Sequence, residues 1–96
     1  MMAANLTIAT ATHSNFKEAN LSQANFCDAN LQKSDFNYAV LIDANLQNAD
    51  FTKANLQNAN LMGANLQATK LDDVIFQSTM MFDGTIKNSN KEKSSQ

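Results

Sequence analysis

Leucine or phenylalanine returns every fifth residue along almost the whole chain, at Leu6, Phe16, Leu21, Phe26, Leu31, Phe36, Leu41, Leu46, Phe51, Leu56, Leu61, Leu66, Leu71 and Phe76. Ala11 keeps the phase near the start, and Met81 and Ile86 keep it near the end. Two residues before the large one stands a small one: Ala19, Ala24, Ala29, Ser34, Ala39, Ala44, Ala49, Ala54, Ala59 and Ala64. The residue between them is mostly Asn or Asp, and the two that follow are mostly polar. A period of five suits neither ordinary element. On an α-helix, steps of about 100° would scatter the large residues around the axis. On a long strand, an odd spacing would alternate them between faces.

A short fixed period instead predicts a coil of repeats, each burying its apolar side against its neighbours. Within one unit, Ala44 and Leu46 lie two residues apart and point the same way on an extended backbone, while Asn45 points outward. Gln47 and Asn48 then turn the corner. With only Gly63 and Gly84 and no proline, turn chemistry is expected to fall to Asn and Asp, which tolerate unusual backbone angles.

The run Ala-Asn-Leu-Gln-Asn-Ala-Asp-Phe-Thr-Lys-Ala-Asn-Leu-Gln-Asn-Ala-Asn-Leu, residues 44–61, resembles the pentapeptide-repeat family, whose motif is A(D/N)LXX. The short cyanobacterial members are the most similar in kind. The resemblance extends from about residue 4 to residue 86 with no apparent break in phase. It implies an all-β fold, a right-handed quadrilateral β-helix with about 20 residues per coil and about four coils, stacked at ~4.8 Å. The expected boundaries are a repeat domain over 1–86 and a polar, disordered tail over 87–96.

Four units per coil would place residues 20 apart above one another and sort the central residues into four inner stacks. Face 1 carries Leu6, Phe26, Leu46, Leu66 and Ile86; face 2 carries Ala11, Leu31, Phe51 and Leu71. Face 3 carries Phe16, Phe36, Leu56 and Phe76; face 4 carries Leu21, Leu41, Leu61 and Met81. Outside face 1, Asn5, Asn25, Asn45 and Asn65 form a structural ladder expected to bond along the axis. Face 4 breaks the polar rule, with Val40, Ile42, Met62, Met80 and Phe82 pointing outward. Such a patch reads as an interaction surface. The competing reading is a makeshift cap where the repeat decays after Lys70, which accounts for Met80 and Phe82 but not for Val40 and Ile42.

Composition narrows the chemistry. The formal charge is −2, arginine is absent, and the acids are scattered, which argues against binding a phosphate backbone. The start shows no basic segment leading into an apolar run, and no stretch is long enough to span a bilayer, so neither a secretion leader nor membrane insertion is expected. The lone Cys27 fits a reducing, cytoplasmic setting. His13 has no second His or Cys for a metal site, and Cys27 has no His to activate it. Asp72 and Asp73 are adjacent but sit at a corner facing water. No glycine-rich phosphate loop is present. No catalytic, metal or cofactor site is therefore expected.

The function expected is a non-enzymatic structural or protein-interaction module, docking to a protein partner or to itself. The family resemblance implies two alternatives. One is a DNA-mimic binder of DNA gyrase, which needs a long acidic column; here Glu18, Asp28, Asp35, Asp43 and Asp50 fall on different faces. The other is a regulatory partner in a signalling or differentiation pathway. Both ends of such a column expose strand edges, with Met1–Ala4 and Met80–Phe82 as the candidates to cover them.

Overall fold

The computed structural model describes residues 10–88. Leu6, Asn5, the Met1–Ala4 segment and residues 89–96 of the expected tail lie outside the described residues. The chain winds as a right-handed quadrilateral β-helix. Successive coils meet through parallel bridges between outward residues 20 apart, from Thr10 with Asn30 to Asn60 with Met80. Around one bridge, Leu21 N–H donates to Val40 C=O at 2.7 Å and Val40 N–H donates to Ala19 C=O at 2.9 Å. A second rung comes from the corner, where Gln23 N–H donates to Ile42 C=O at 2.8 Å. The backbone is thus paired from coil to coil, which answers the cost of burying amide groups in so narrow a column.

The interior follows the five-residue code. Leu21, Phe26, Leu31, Phe36, Leu41, Leu46, Phe51, Leu56 and Leu61 are fully buried, as are the alanines from Ala24 to Ala59. Phe76 is buried; Phe16, Leu66 and Leu71, in the end coils, are only half-buried. Aromatic packing concentrates in the lower coils. Phe16 stacks on Phe36 at 4.8 Å, and Phe26 meets both edge-on at 6.0 and 6.3 Å. Such pairs add about 0.5–1.5 kcal/mol beyond area burial.

Where a hydroxyl replaces the inward alanine, it finds a carbonyl in the coil below. Ser34 Oγ donates to Ala11 C=O at 2.8 Å, Thr69 Oγ1 to Leu46 C=O at 2.6 Å and Thr79 Oγ1 to Leu56 C=O at 2.6 Å. Among the described residues, no buried side-chain polar atom lacks a partner.

The corners differ from the expectation. Nearly all close with a bond such as Ala24 N–H to Leu21 C=O at 3.0 Å, and the second corner residue is left-handed, with φ of 63° at Gln23. That combination marks a type II turn, which ordinarily takes Gly or Asn there. Here the position accepts His13, Lys33, Tyr38, Lys53 and Ala68 as well as Asp28, Asp43, Asn48, Asn58 and Asp73. Left-handed backbone is therefore not the particular task of Asn and Asp. The stacked rungs impose it on whatever residue stands there.

The C-terminal end departs from the expected phase. The left-handed residue after Met81 is Gly84, with φ of 88°, in place of Asp83. This one-residue slip reverses the chain: β1 (Thr79–Met80) pairs antiparallel with β2 (Ile86–Lys87), with Met80 opposite Ile86. Ile86 is 52% exposed and does not extend the stack over Leu66. Asp83 fixes the reversal by accepting from Thr85 N–H at 3.2 Å and Thr85 Oγ1 at 2.7 Å. Continued winding would also have placed Lys91 at a central, inward position, burying an ammonium group at high cost. Lys87 and Asn88 belong to this cap and not to the tail. Lys87 Nζ lies 5.2 Å from the Phe76 ring centroid, and Asn88 Oδ1 accepts from Ser78 N–H at 2.9 Å.

Candidate functional site

The outward asparagines have a local task. In each regular unit the side-chain oxygen of the outward residue accepts the backbone N–H of the first corner residue, two positions on. Asn25 accepts from Cys27 at 3.0 Å, Asn45 from Gln47 at 3.1 Å, Asn65 from Gln67 at 3.0 Å and Asn60 from Met62 at 3.0 Å. Asp35 and Asp50 do the same for Asn37 and Thr52, each at 3.0 Å. This Asx geometry turns the chain into the corner. The amide oxygens of Asn25, Asn45 and Asn65 are thus directed at the backbone of their own units, in place of the axial amide ladder the sequence suggested.

Asp50 carries the most developed polar site. Besides Thr52 N–H, it accepts from Thr52 Oγ1 at 2.6 Å and from Gln32 Nε2 at 2.8 Å. Partial burial pushes its pKa up, but the Thr52 and Gln32 bonds and the charge of Lys70 outweigh that and hold the carboxyl below its ordinary value. Cys27 Sγ lies 3.6 Å from Asp28 Oδ2. Desolvation, then the Asp28 charge and hydrogen bond, push the thiol up, which keeps it protonated and a poor nucleophile. Among the described residues no three His, Cys, Asp or Glu side chains gather as a metal site. No helix among them is long and apolar enough to cross a membrane.

Face 4 brings the sequence-designated apolar residues together. Val40 and Met80 occupy its outward column through the bridges Asn20–Val40, Val40–Asn60 and Asn60–Met80. Ile42, Met62 and Phe82 follow at the first corner, where Asp43 N–H donates to Met62 C=O and Gly63 N–H to Phe82 C=O. Met62 is 41% and Phe82 49% exposed; Val40, Ile42 and Met80 are half-buried. Met62 leans toward the cap, its Cε within van der Waals reach of any Cβ placed on Gly84. Asp43 leans over Gly63, where its carboxylate fills the space a side chain would need.

Tyr38, 59% exposed at the corner between faces 3 and 4, widens the apolar surface and was not singled out from the sequence. The signal was present, since an aromatic at a second corner position, beside Val40, cannot be core. Ile75, outward on face 3 above Asn55, is likewise exposed.

Comparison with known proteins bears on the fold. The family model for pentapeptide repeats matches residues 4–41 and 39–77, in 8 copies. No curated protein matches the chain. Among solved structures, it is similar to HetL, a pentapeptide repeat protein involved in heterocyst differentiation regulation from the cyanobacterium Nostoc sp. strain PCC 7120. That match has 24% identity and a TM-score of 0.56, covering 90% of this chain and 48% of HetL. A pentapeptide repeat protein from the cyanobacterium Cyanothece 51142 shows 33% identity and a TM-score of 0.40, over 73% of this chain and 58% of that one. One from the Arabidopsis thaliana thylakoid lumen shows 26% identity and a TM-score of 0.42, over 96% and 70%. The chain thus spans about half the length of HetL. With the motif matched across most of its residues and the coil geometry in place, the chain belongs to the pentapeptide repeat family.

Proposed function

We propose that this protein is a non-enzymatic docking module whose contact surface is face 4. The observation that carries the reading is the gathering of Val40, Ile42, Met62, Met80 and Phe82 on one side of the column, while the other faces keep mostly polar outward residues. Apolar side chains grouped on a surface favour association, because contact removes them from water. The column holds them on hydrogen-bonded coils, so a partner meets a preformed surface and little ordering entropy is lost. A cytoplasmic setting is consistent with the free thiol of Cys27.

The gyrase reading is not favoured. Asp35 and Asp50 lie on faces 3 and 2, and Glu18, Asp28 and Asp43 on three different corners, so among the described residues no face presents a continuous acidic column. A regulatory role in a signalling or differentiation pathway would use the same docking face.

The test is the double substitution Ile42→Ser with Met62→Ser. Both residues point away from the column's interior, so the melting temperature is expected to stay within a few degrees while association measured by light scattering or partner binding falls. Collapse of the fold would show that these side chains belong to the core, and unchanged association would remove face 4 as the contact surface.

A further inference from the structure

We infer that face 4 recognises a protein segment combining apolar side chains with a backbone carbonyl and a lysine or arginine. The inference deepens the docking reading and rests on it. Its first basis is an unused donor. At the first corner of the regular units, the backbone N–H is taken by the outward Asn or Asp of the same unit, as Met62 N–H is by Asn60 at 3.0 Å. On face 4 that outward residue is Val40, which has no acceptor, and Ile42 N–H has no partner among the described residues. The same substitution recurs two coils on, where Met80 stands outward and Phe82 N–H is unpartnered among the described residues; Asp72 N–H, after Lys70 on face 2, is open too, but stands among polar residues. The two face 4 donors sit roughly 10 Å apart along the axis, two strand spacings. Each is set among the apolar side chains of the patch.

An amide in such a place is a specificity element. If an apolar partner covered it without supplying an acceptor, the stranded donor would oppose binding; a carbonyl oxygen supplied by the partner removes that penalty. Val40 thus leaves open the acceptor position that Asn60 fills internally in the next coil.

The second basis is charge. On face 4 and the two corners flanking it, the carboxylates among the described residues are Glu18, Asp43 and Asp83, against one lysine, Lys17, which stands beside Glu18 at the N-terminal end of the column. Asp43 lies across Gly63, beside Met62. Thr85 holds the Asp83 carboxyl below its ordinary value through side-chain and backbone hydrogen bonds. The nearby Lys87 is engaged over Phe76. A second copy placed face 4 to face 4 would bring the same net negative charge to both sides of the contact, whereas a basic segment is attracted. The complementary occupant is therefore another protein's apolar, basic segment.

The substitution that separates this inference from the general docking reading is Val40→Asn. It restores the residue type found at most equivalent positions, so the fold tolerates it, and it supplies the missing acceptor from within the chain. The experiment is selection of a random-peptide display library on the full chain, followed by affinity measurement on variants. The selected peptides are expected to be apolar with at least one Lys or Arg. Their affinity should fall tenfold or more on Val40→Asn, fall several-fold on Asp43→Asn, and stay within twofold on the face 1 control Gln47→Ala. Peptides lost on Ile42→Ser with Met62→Ser but indifferent to Val40→Asn and Asp43→Asn would overturn this inference and leave face 4 as a docking surface. Acidic peptides, or no enrichment over an unselected library, would overturn it outright.

Discussion

Faces 1 and 4 are built on the same coils with the same inward chemistry, yet their outer surfaces differ in kind. Behind face 1 stand Ala44 and Leu46, and behind face 4 stand Ala39 and Leu41; all four are fully buried. Outside face 1, Asn25, Asn45 and Asn65 each satisfy the next corner's N–H. Outside face 4, Val40 and Met80 satisfy nothing and leave donors among apolar side chains. The comparison teaches that stability and recognition are separable here. Inward residues hold the column, and one outward position per unit decides whether a face is self-contained or open to a partner.

The largest effect expected is the one that should not distinguish the faces. Leu46→Ala on face 1 and Leu41→Ala on face 4 each remove a fully buried side chain. Each is expected to cost about 2–5 kcal/mol, read by urea unfolding; a much smaller loss for Leu41 would mean that the core itself differs between faces. Overpacking gives a second symmetric test, since Ala44→Leu and Ala39→Leu should each cost about 1–3 kcal/mol.

The outward position should respond in opposite directions. Asn45→Val removes the acceptor for Gln47 N–H and is expected to cost about 0.5–1.5 kcal/mol, whereas Val40→Asn is expected to gain a similar amount. Equal signs in the two chemical denaturation curves would break the comparison.

Face 2 sharpens the point through pH. Asp50 stands there in the place that Asn45 holds on face 1, and its bonds keep its folded pKa below the ordinary value of 3.8. A carboxyl with a depressed folded value stabilises fully above its unfolded value, and that stability fades as pH falls through the folded value. Asp50→Asn should therefore flatten this part of the acid unfolding profile and leave the slope near neutrality unchanged. The smallest effect is expected for Gln47→Leu, an outward corner change on face 1 that should hardly move the melting temperature.

Much of this was legible in the sequence because the period is a direct record of the geometry. Leu and Phe every fifth residue, with a small residue two places before, already separate inside from outside. The apolar column through Val40, Ile42 and Met62 follows by counting in steps of 20. The end of the column was harder to read. Ile86 is apolar and in phase, and pattern alone assigns it to the core. The outcome turns on Gly84, which takes the left-handed turn one residue late, and on Asp83, whose bonds to Thr85 reverse the chain.

The corners were misread for a different reason. Propensity assigns left-handed backbone to Asn and Asp, but inter-coil hydrogen bonds impose it even on Tyr38 and Lys53. Asn and Asp are instead recruited three residues earlier, as side-chain acceptors. Until that role is seen, Val40 reads only as an apolar residue on a polar face, and the unpartnered N–H of Ile42 cannot be anticipated.

The most direct test of this account is amide hydrogen exchange by NMR on the free protein, comparing Ile42 with Met62 and Gln47. The three amides occupy the same corner position, and only Ile42 lacks a side-chain acceptor. Exchange at Ile42 at least tenfold faster than at the other two, slowed to their level by Val40→Asn, is the result expected. Equal protection at all three in the wild-type protein would contradict it, because the open donor among the apolar side chains of face 4 would then already be satisfied.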